Sequence, residues 1–147
     1  MIQFRDGFYA DVRTEDRSRT TISYKAGILE EMNTRVERRA FLRVYDGRMW
    51  YYASVTDLSH LQETLDGLYA AATPNAGISD DPVVRRFERN RDTVMSFADC
   101  SVRDIASKDK QALLLSYLPL LSEDSCVSMP MGTYLDRSSL FRFRSSL

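Results

Sequence analysis

Histidine is almost missing from this chain of 147 residues: His60 is the only one. That excludes a His-Glu-x-x-His zinc motif and any site needing two imidazoles. Cysteine is nearly as scarce. Cys100 and Cys126 lie far apart, with no Cys-x-x-Cys and no further partners, so neither a zinc knuckle nor a disulfide framework is indicated. Two buried free thiols in a reducing compartment are the expectation. The six glycines never cluster into a phosphate-binding loop. No Gly-x-Ser-x-Gly elbow presents a nucleophile. No apolar run approaches the roughly 18 residues of a membrane span. The opening MIQFRDGFYADVR carries Arg5, Asp6 and Asp11 where a signal peptide would be apolar, so a cytoplasmic location is expected.

An excess of one charge is missing too. Twenty basic residues oppose 21 acidic ones for a net charge of −1, and both halves of the chain are balanced. This argues against a nucleic-acid partner, even though Phe141-Arg142-Phe143-Arg144 sets rings beside cations, and no membrane partner is indicated. Lys25, Lys108 and Lys110 are the only lysines; the other basic residues are arginine, which suits planar ion pairing and also follows from codon bias. At 44% hydrophobic and 28% charged residues, the composition is that of a globular domain with a real core.

What is present is strand alternation followed by helical periodicity. FYADVRTE and RTTISYK, joined through EDRSR, predict two short strands, and ILEEMNT after Gly27 predicts another. Glu30 and Glu31 then project to opposite faces and form no carboxylate pair. RRAFLRVYDGRMWYYASV predicts a hairpin around a two-residue Asp46-Gly47 turn. In that register Val44 faces Met49, Leu42 faces Tyr51 and Ala40 faces Ala53. On the other face Arg43 lies opposite Trp50 and Phe41 opposite Tyr52. The expectation is a meander of four or five antiparallel strands within about 55 residues.

Leu58, Leu61, Leu65, Leu68 and Ala72 then recur at helical spacing. The helix starts either at a Ser59–Gln62 capping box or a turn earlier at Thr56 or Asp57. His60 reads as a solvated residue of this helix. TPNAGISDDP is a loop, and Asp81-Pro82 opens a short helix through Arg89; RRFERNR is its solvated side. SKDKQALLLSYL predicts a second helix, capped by Ser107, with Leu114, Tyr117, Leu118 and Leu121 on one side and Pro119 stopping it near Leu118. The last 22 residues return to alternation, as two strands around a turn near Asp136 to Ser139. The class is α+β in a single domain, 1–147: an antiparallel meander with two main helices packed on one sheet face and closing strands near the C-terminus.

The order YADVR, ISYKAGILEE, then FLRVYDGRMWYYASVTDLS entering a helix that ends YAAA resembles the amino-terminal domain of the TldD/PmbA metallopeptidase family, also known as modulators of DNA gyrase. The matching positions are Ala10, Asp11, Arg13, Gly27, Arg43, Val44, Gly47, Tyr52, Ala53, Ser54 and Asp57. The helix from Lys108 to Leu118 and the ending YLDRSSLFRFRSSL are similar to later elements of that domain. The sequence departs from the pattern in having only nine residues before Ala10, and in Tyr51 where the family has a small residue.

The resemblance implies a non-catalytic domain of a dimeric, cytoplasmic zinc peptidase, with no cofactor in this chain and zinc held only in a carboxy-terminal domain bearing a His-Glu-x-x-x-His motif. Its partners would be that domain or a second subunit, and unfolded peptide as substrate of the parent. No catalytic or metal residue is assigned here. The candidate partner or cavity surface is Arg43, Trp50 and Tyr52. Phe141 and Phe143 mark a candidate C-terminal edge, where alternation runs almost to Leu147 and an exposed edge invites strand pairing. A stand-alone module binding peptide or protein through its aromatic sheet face is the alternative reading.

Overall fold

The computed structural model describes residues 2–121, 123 and 126–147. Four strands and two helices are the main elements: β1 (Tyr9–Lys25), β2 (Ile28–Tyr45), β3 (Trp50–Val55), α1 (Leu61–Ala71), α2 (Ser107–Leu121) and β4 (Met131–Ser145). Single 3-10 turns at Ile78–Asp80, Val84–Arg86, Ala98–Cys100 and Val102–Asp104 connect the helices. The strands form one antiparallel sheet in the order β3-β2-β1-β4, so the class is α+β as expected. Among the described residues no helix is long and apolar enough to cross a membrane.

The strands are fewer and longer than the alternation suggested. EDRSR joins no two strands but continues β1, because it contains neither glycine nor proline and its polar side chains are used within the sheet: Ser18 is buried and Glu15 is nearly so. ILEEMNT and RRAFLRVY likewise form one strand, β2, and Asp136 to Ser139 lie inside β4 rather than in a turn. The two-residue loop with positive φ at both positions falls at Ala26 (φ 49°) and Gly27 (φ 79°), where its twist matches that of the long β1–β2 pair.

Asp46 opens a four-residue loop instead. Its Oδ1 accepts the N–H groups of Arg48 (2.9 Å) and Met49 (2.8 Å), which holds Met49 out of the ladder. Pairing begins at Tyr45 with Trp50 and continues with Val44–Tyr51, Arg43–Tyr52 and Leu42–Ala53. The register is thus displaced by two residues from the expected one. An even displacement keeps every side chain on its expected face, but Met49, expected opposite Val44, is exposed.

The chain divides into two compact units that share the long strands: residues 1–16, 37–94 and 140–147, and residues 17–36 and 95–139. In the first unit α1 packs Leu65 and Tyr69 onto Ala10, Val12, Ala40, Leu42 and Val44, as its leucine stripe predicted. Burying a side chain such as Leu65 contributes about 1.5–3 kcal/mol. The capping box does not form. His60 stands at the N-cap without a side-chain bond, and Gln62 instead pairs with Gln3, accepting its N–H (2.8 Å) and donating to its carbonyl (3.2 Å). The helix expected through Arg89 is only the turn Val84–Arg86, with Asp81 accepting the Val83 N–H.

In the second unit α2 buries Leu114 with Ile22 and Tyr24. Gly132 permits the close approach: a Cβ there would lie 2.5 Å from Leu118 Cδ2. Tyr117 and Leu121, expected in the stripe, are exposed. Lys110 is buried in their stead. Its Nζ reaches Asp136 at 2.8 Å and Thr20 at 3.1 Å, and Asp136 also accepts from the Tyr134 hydroxyl. Pro119 removes one N–H from the last turn, but the helix runs on to Leu121. Cys100 and Cys126 are both exposed and in no disulfide, contrary to the expectation of burial, because neither belongs to a strand or to α2.

Candidate contact face of the sheet

Within the first unit, the sheet face opposite α1 carries the residues singled out from the sequence. Odd positions of β1 and β2 and even positions of β3 share this face, because side chains alternate and the register fixes the parity. Tyr9, Asp11, Arg13, Arg43, Tyr45, Trp50 and Tyr52 therefore lie together.

A buried carboxylate organises them. Asp11 is fully buried, and Arg43 donates to it in a forked arrangement, NH2 to Oδ2 at 2.6 Å and Nε to both oxygens at 3.1–3.2 Å. The Tyr9 hydroxyl adds a bond of 3.0 Å, and Arg13 Nε lies 3.8 Å away. Burial and the Asp11 carboxylate both push the Tyr9 hydroxyl well above the ordinary tyrosine range. The hydrogen bond to Asp11 likewise strengthens the proton hold of Arg43 against the opposing effect of burial. A charge-assisted, bidentate contact of this kind fixes orientation as well as charge.

Aromatic rings surround the pair. The Arg43 guanidinium lies 4.7 Å from the Trp50 ring centroid, so the expected cation–π contact exists, although Arg43 stands directly opposite Tyr52 in the ladder. Trp50 stacks on Tyr45 at 4.7 Å and meets Tyr9 edge-on. Phe87 stacks on Tyr9 at 4.5 Å. Trp50 is thereby half-buried, whereas Tyr52 is 67% exposed and meets the Phe41 ring. Arg13 extends the face toward β4 by placing its guanidinium 5.3 Å from the Phe143 ring. Phe143 and Phe141 are both exposed. Beside them the chain end is pinned: Ser146 N–H donates to the Ala10 carbonyl at 2.9 Å, Ser146 Oγ accepts the Ala10 N–H, and Leu147 packs near Tyr9.

Sequence reasoning located Arg43, Trp50, Tyr52, Phe141 and Phe143 but missed Asp11 as the partner of Arg43, and Tyr9 and Phe87 as its enclosure. The usable signal for Asp11 was an acidic residue between Tyr9 and Arg13 on one face of a strand. A second ion pair, Arg39 to Glu15 at 2.6 Å, went unnoticed for the same reason. His60 is exposed and contacts Glu63 at 3.2 Å, away from this face. Asp46 lines a shallow depression with Tyr51, Thr73 and Asn75. Burial raises its proton affinity, but bonds from the backbone of Met49, Arg48 and Thr73 and the Tyr51 hydroxyl outweigh this and hold the carboxyl below the usual range, so it anchors a turn.

Among the described residues no group of three or more His, Cys, Asp or Glu side chains is placed to hold a metal ion.

Residues 10–72 match the family model described as PmbA/TldA metallopeptidase domain 1, the family whose motifs the sequence resembles. Three crystal structures share the fold. A candidate modulator of a DNA gyrase from Thermotoga maritima superposes with a TM-score of 0.74 at 14% identity, over 96% of this chain and 32% of that one. One from Bacteroides thetaiotaomicron gives 0.66 at 18% identity, over 94% and 32%. TldE from Thermococcus kodakarensis gives 0.57 at 12% identity, over 93% and 33%. The chain thus spans about a third of the length of each. No curated protein matches it significantly.

Proposed function

From a chain that carries the PmbA/TldA domain 1 pattern and the fold of a third of these larger proteins, we propose a non-catalytic amino-terminal domain of a TldD/PmbA-like zinc metallopeptidase. It docks a zinc-bearing domain or second subunit in the cytoplasm, and forms part of the wall that admits only unfolded peptides. The observation that carries this reading is the face built on Asp11 and Arg43: a buried ion pair beneath, topped by the exposed rings of Tyr52, Phe141 and Phe143. Aromatic and arginine side chains are enriched where protein interfaces make their central, buried contacts. The chain itself supplies no zinc ligand set in this proposal; metal chemistry belongs to the docked domain.

The test is co-sedimentation of the chain with a His-Glu-x-x-x-His-bearing subunit of the same family from the same cell. Binding that falls at least tenfold in Tyr52→Ala/Phe143→Ala supports the proposal; undiminished binding, or none, contradicts it. The exposed rings also suit a stand-alone peptide-binding module, which would bind an extended unfolded peptide with no zinc-bearing subunit present.

A further inference from the structure

The sheet ends at β3 on one side and at β4 on the other, and these outer strands are not alike. β4 carries Asp136, Arg137, Arg142 and Arg144 along its length. The part of β2 that β3 does not reach carries Glu30, Glu31 and Arg35. Charges of this kind keep an edge from accepting another strand. β3, with the sequence WYYASV, has none. It contains no proline either, and its pairing with β2 runs from Trp50 to Val55 without a bulge.

The loop before β3 fixes which of its backbone groups face outward. Asp46 N–H donates to the Met49 carbonyl at 3.3 Å, which makes these two a hydrogen-bonded pair. Bonded and non-bonded pairs alternate along an antiparallel ladder. Tyr51, Ala53 and Val55 therefore bond to Val44, Leu42 and Ala40, while Trp50, Tyr52 and Ser54 turn their N–H and C=O groups away from β2. No other segment bonds to those groups among the described residues. Tyr52 and Ser54 are exposed.

We infer that the outer edge of β3 takes up an extended, uncharged peptide as an added antiparallel strand, held through the backbone of Trp50, Tyr52 and Ser54. Main-chain bonds supply the affinity in this mode of recognition and alternate side chains the selectivity. Side chains of the added strand on one face continue the rings of Trp50 and Tyr52, and those on the other lie beside Ala53 and Val55, so β-branched and aromatic residues are favoured. The ends agree in sign. Arg48 before the strand and Asp57 after it are both exposed, and an antiparallel peptide brings its carboxylate end toward the first and its amino end toward the second. The length also selects a peptide over a second copy. Six residues span about 20 Å, and two such edges paired would cover far less than the roughly 800 Å² per partner of a stable dimer. This rests on the reading that unfolded peptide reaches this domain, but places it on the backbone at the rim of the sheet and not on the rings that dock a subunit.

The test is amide hydrogen exchange of the chain alone, followed by NMR. The probe is a peptide as long as β3, alternating valine and threonine, at a concentration on the order of a millimolar because few groups are engaged. Exchange at Tyr52 and Ser54 is expected to slow several-fold, with Tyr51 and Ala53 unchanged. Ser54→Pro removes an outward donor while sparing the bonds of Ala53 and Val55 to β2, and is expected to weaken binding at least tenfold with little change in melting temperature. Should that variant fold poorly, the peptide decides: N-methylated at every residue, it keeps its side chains, loses its donors and is expected not to bind. No slowing with the unmodified peptide, equal slowing with the methylated one, or binding that survives Ser54→Pro would overturn the inference. So would binding lost in Tyr52→Ala/Phe143→Ala but kept in Ser54→Pro, which puts the peptide on the rings, or protection that grows with chain concentration without peptide, which puts a second copy on the edge. No zinc-bearing subunit is present, so failure here leaves the docking reading standing, and lost docking with peptide uptake intact leaves this inference standing.

Discussion

Arg43→Met removes the guanidinium from Asp11 while keeping most of the stem that packs beside Trp50. The carboxylate left behind is fully buried and retains the Tyr9 hydroxyl at 3.0 Å. Removing one partner of a buried ion pair costs about 3–5 kcal/mol. Two features reduce that here. Arg43 is itself 23% exposed, and Arg13, at 3.8 Å and 53% exposed, can swing toward the vacated carboxylate. Loss of the cation–π contact with Trp50 adds back about 0.5–1 kcal/mol. The expected cost is therefore about 2–4 kcal/mol, or roughly 4–16 °C in melting temperature for a chain of this size.

Urea unfolding followed by circular dichroism is the assay, because fluorescence of Trp50 would report the local change as well as unfolding. Asp11→Asn/Arg43→Met should cost less than the two single changes together, with a coupling of about 1–3 kcal/mol. The matched control is Arg39→Met, whose ion pair joins a 45% exposed arginine to the nearly buried Glu15; with one partner in solvent it should cost less, about 1–2 kcal/mol. Equal effects of Arg43→Met and Arg39→Met, or additive effects at Asp11 and Arg43, would refute the view that Asp11 organises this face.

Leu65→Ala should destabilise the chain by about 2–5 kcal/mol in the same assay, since Leu65 is fully buried under α1. Lys110→Ala should cost about 3–5 kcal/mol by leaving Asp136 buried and unpaired, and Lys110→Met/Asp136→Leu should recover most of it. Asp46 and Asp136 are both held below the usual aspartate range, against burial, by their hydrogen-bond donors and, for Asp136, by Lys110. A depressed carboxyl stabilises the fold above its unfolded pKa and loses that contribution as pH falls through the folded one. Melting temperature should accordingly drop below about pH 4, and Asp46→Asn should melt lower at neutral pH with a shallower acid decline. Tyr52→Ala should change stability by no more than about 0.5 kcal/mol, because the side chain is exposed, yet weaken docking.

The parity of the hairpin was legible because it needs only alternation: Leu42 and Val44 go inward and Arg43 and Trp50 outward in any register displaced by an even number. The register was not, because Asp46 acts through its carboxylate on the backbone of Arg48 and Met49, which outweighs the Asp-Gly turn signal. Ser18 looked like a loop residue and is a buried strand residue; polarity marks a turn only when glycine or proline frees the backbone. The stripe of α1 was read correctly because one apolar face meets one sheet face. That of α2 was read too broadly, since Lys110 pairs with Asp136, a contact over 26 positions that no local pattern encodes. The exposed rings at Tyr52, Phe141 and Phe143 were visible as alternation; the buried carboxylate between them was not.

Trp50 is the only tryptophan of the chain and sits on the proposed docking face, so it reports that face directly. Labelled with 5-fluorotryptophan, the chain gives a single 19F resonance, which is titrated with an unlabelled His-Glu-x-x-x-His-bearing subunit of the family while sedimentation follows binding. The account predicts that the resonance shifts or broadens in proportion to the bound fraction, and that Tyr52→Ala/Phe143→Ala abolishes both the change and the binding. Binding that leaves the Trp50 resonance unmoved, or that survives the double substitution, would contradict it.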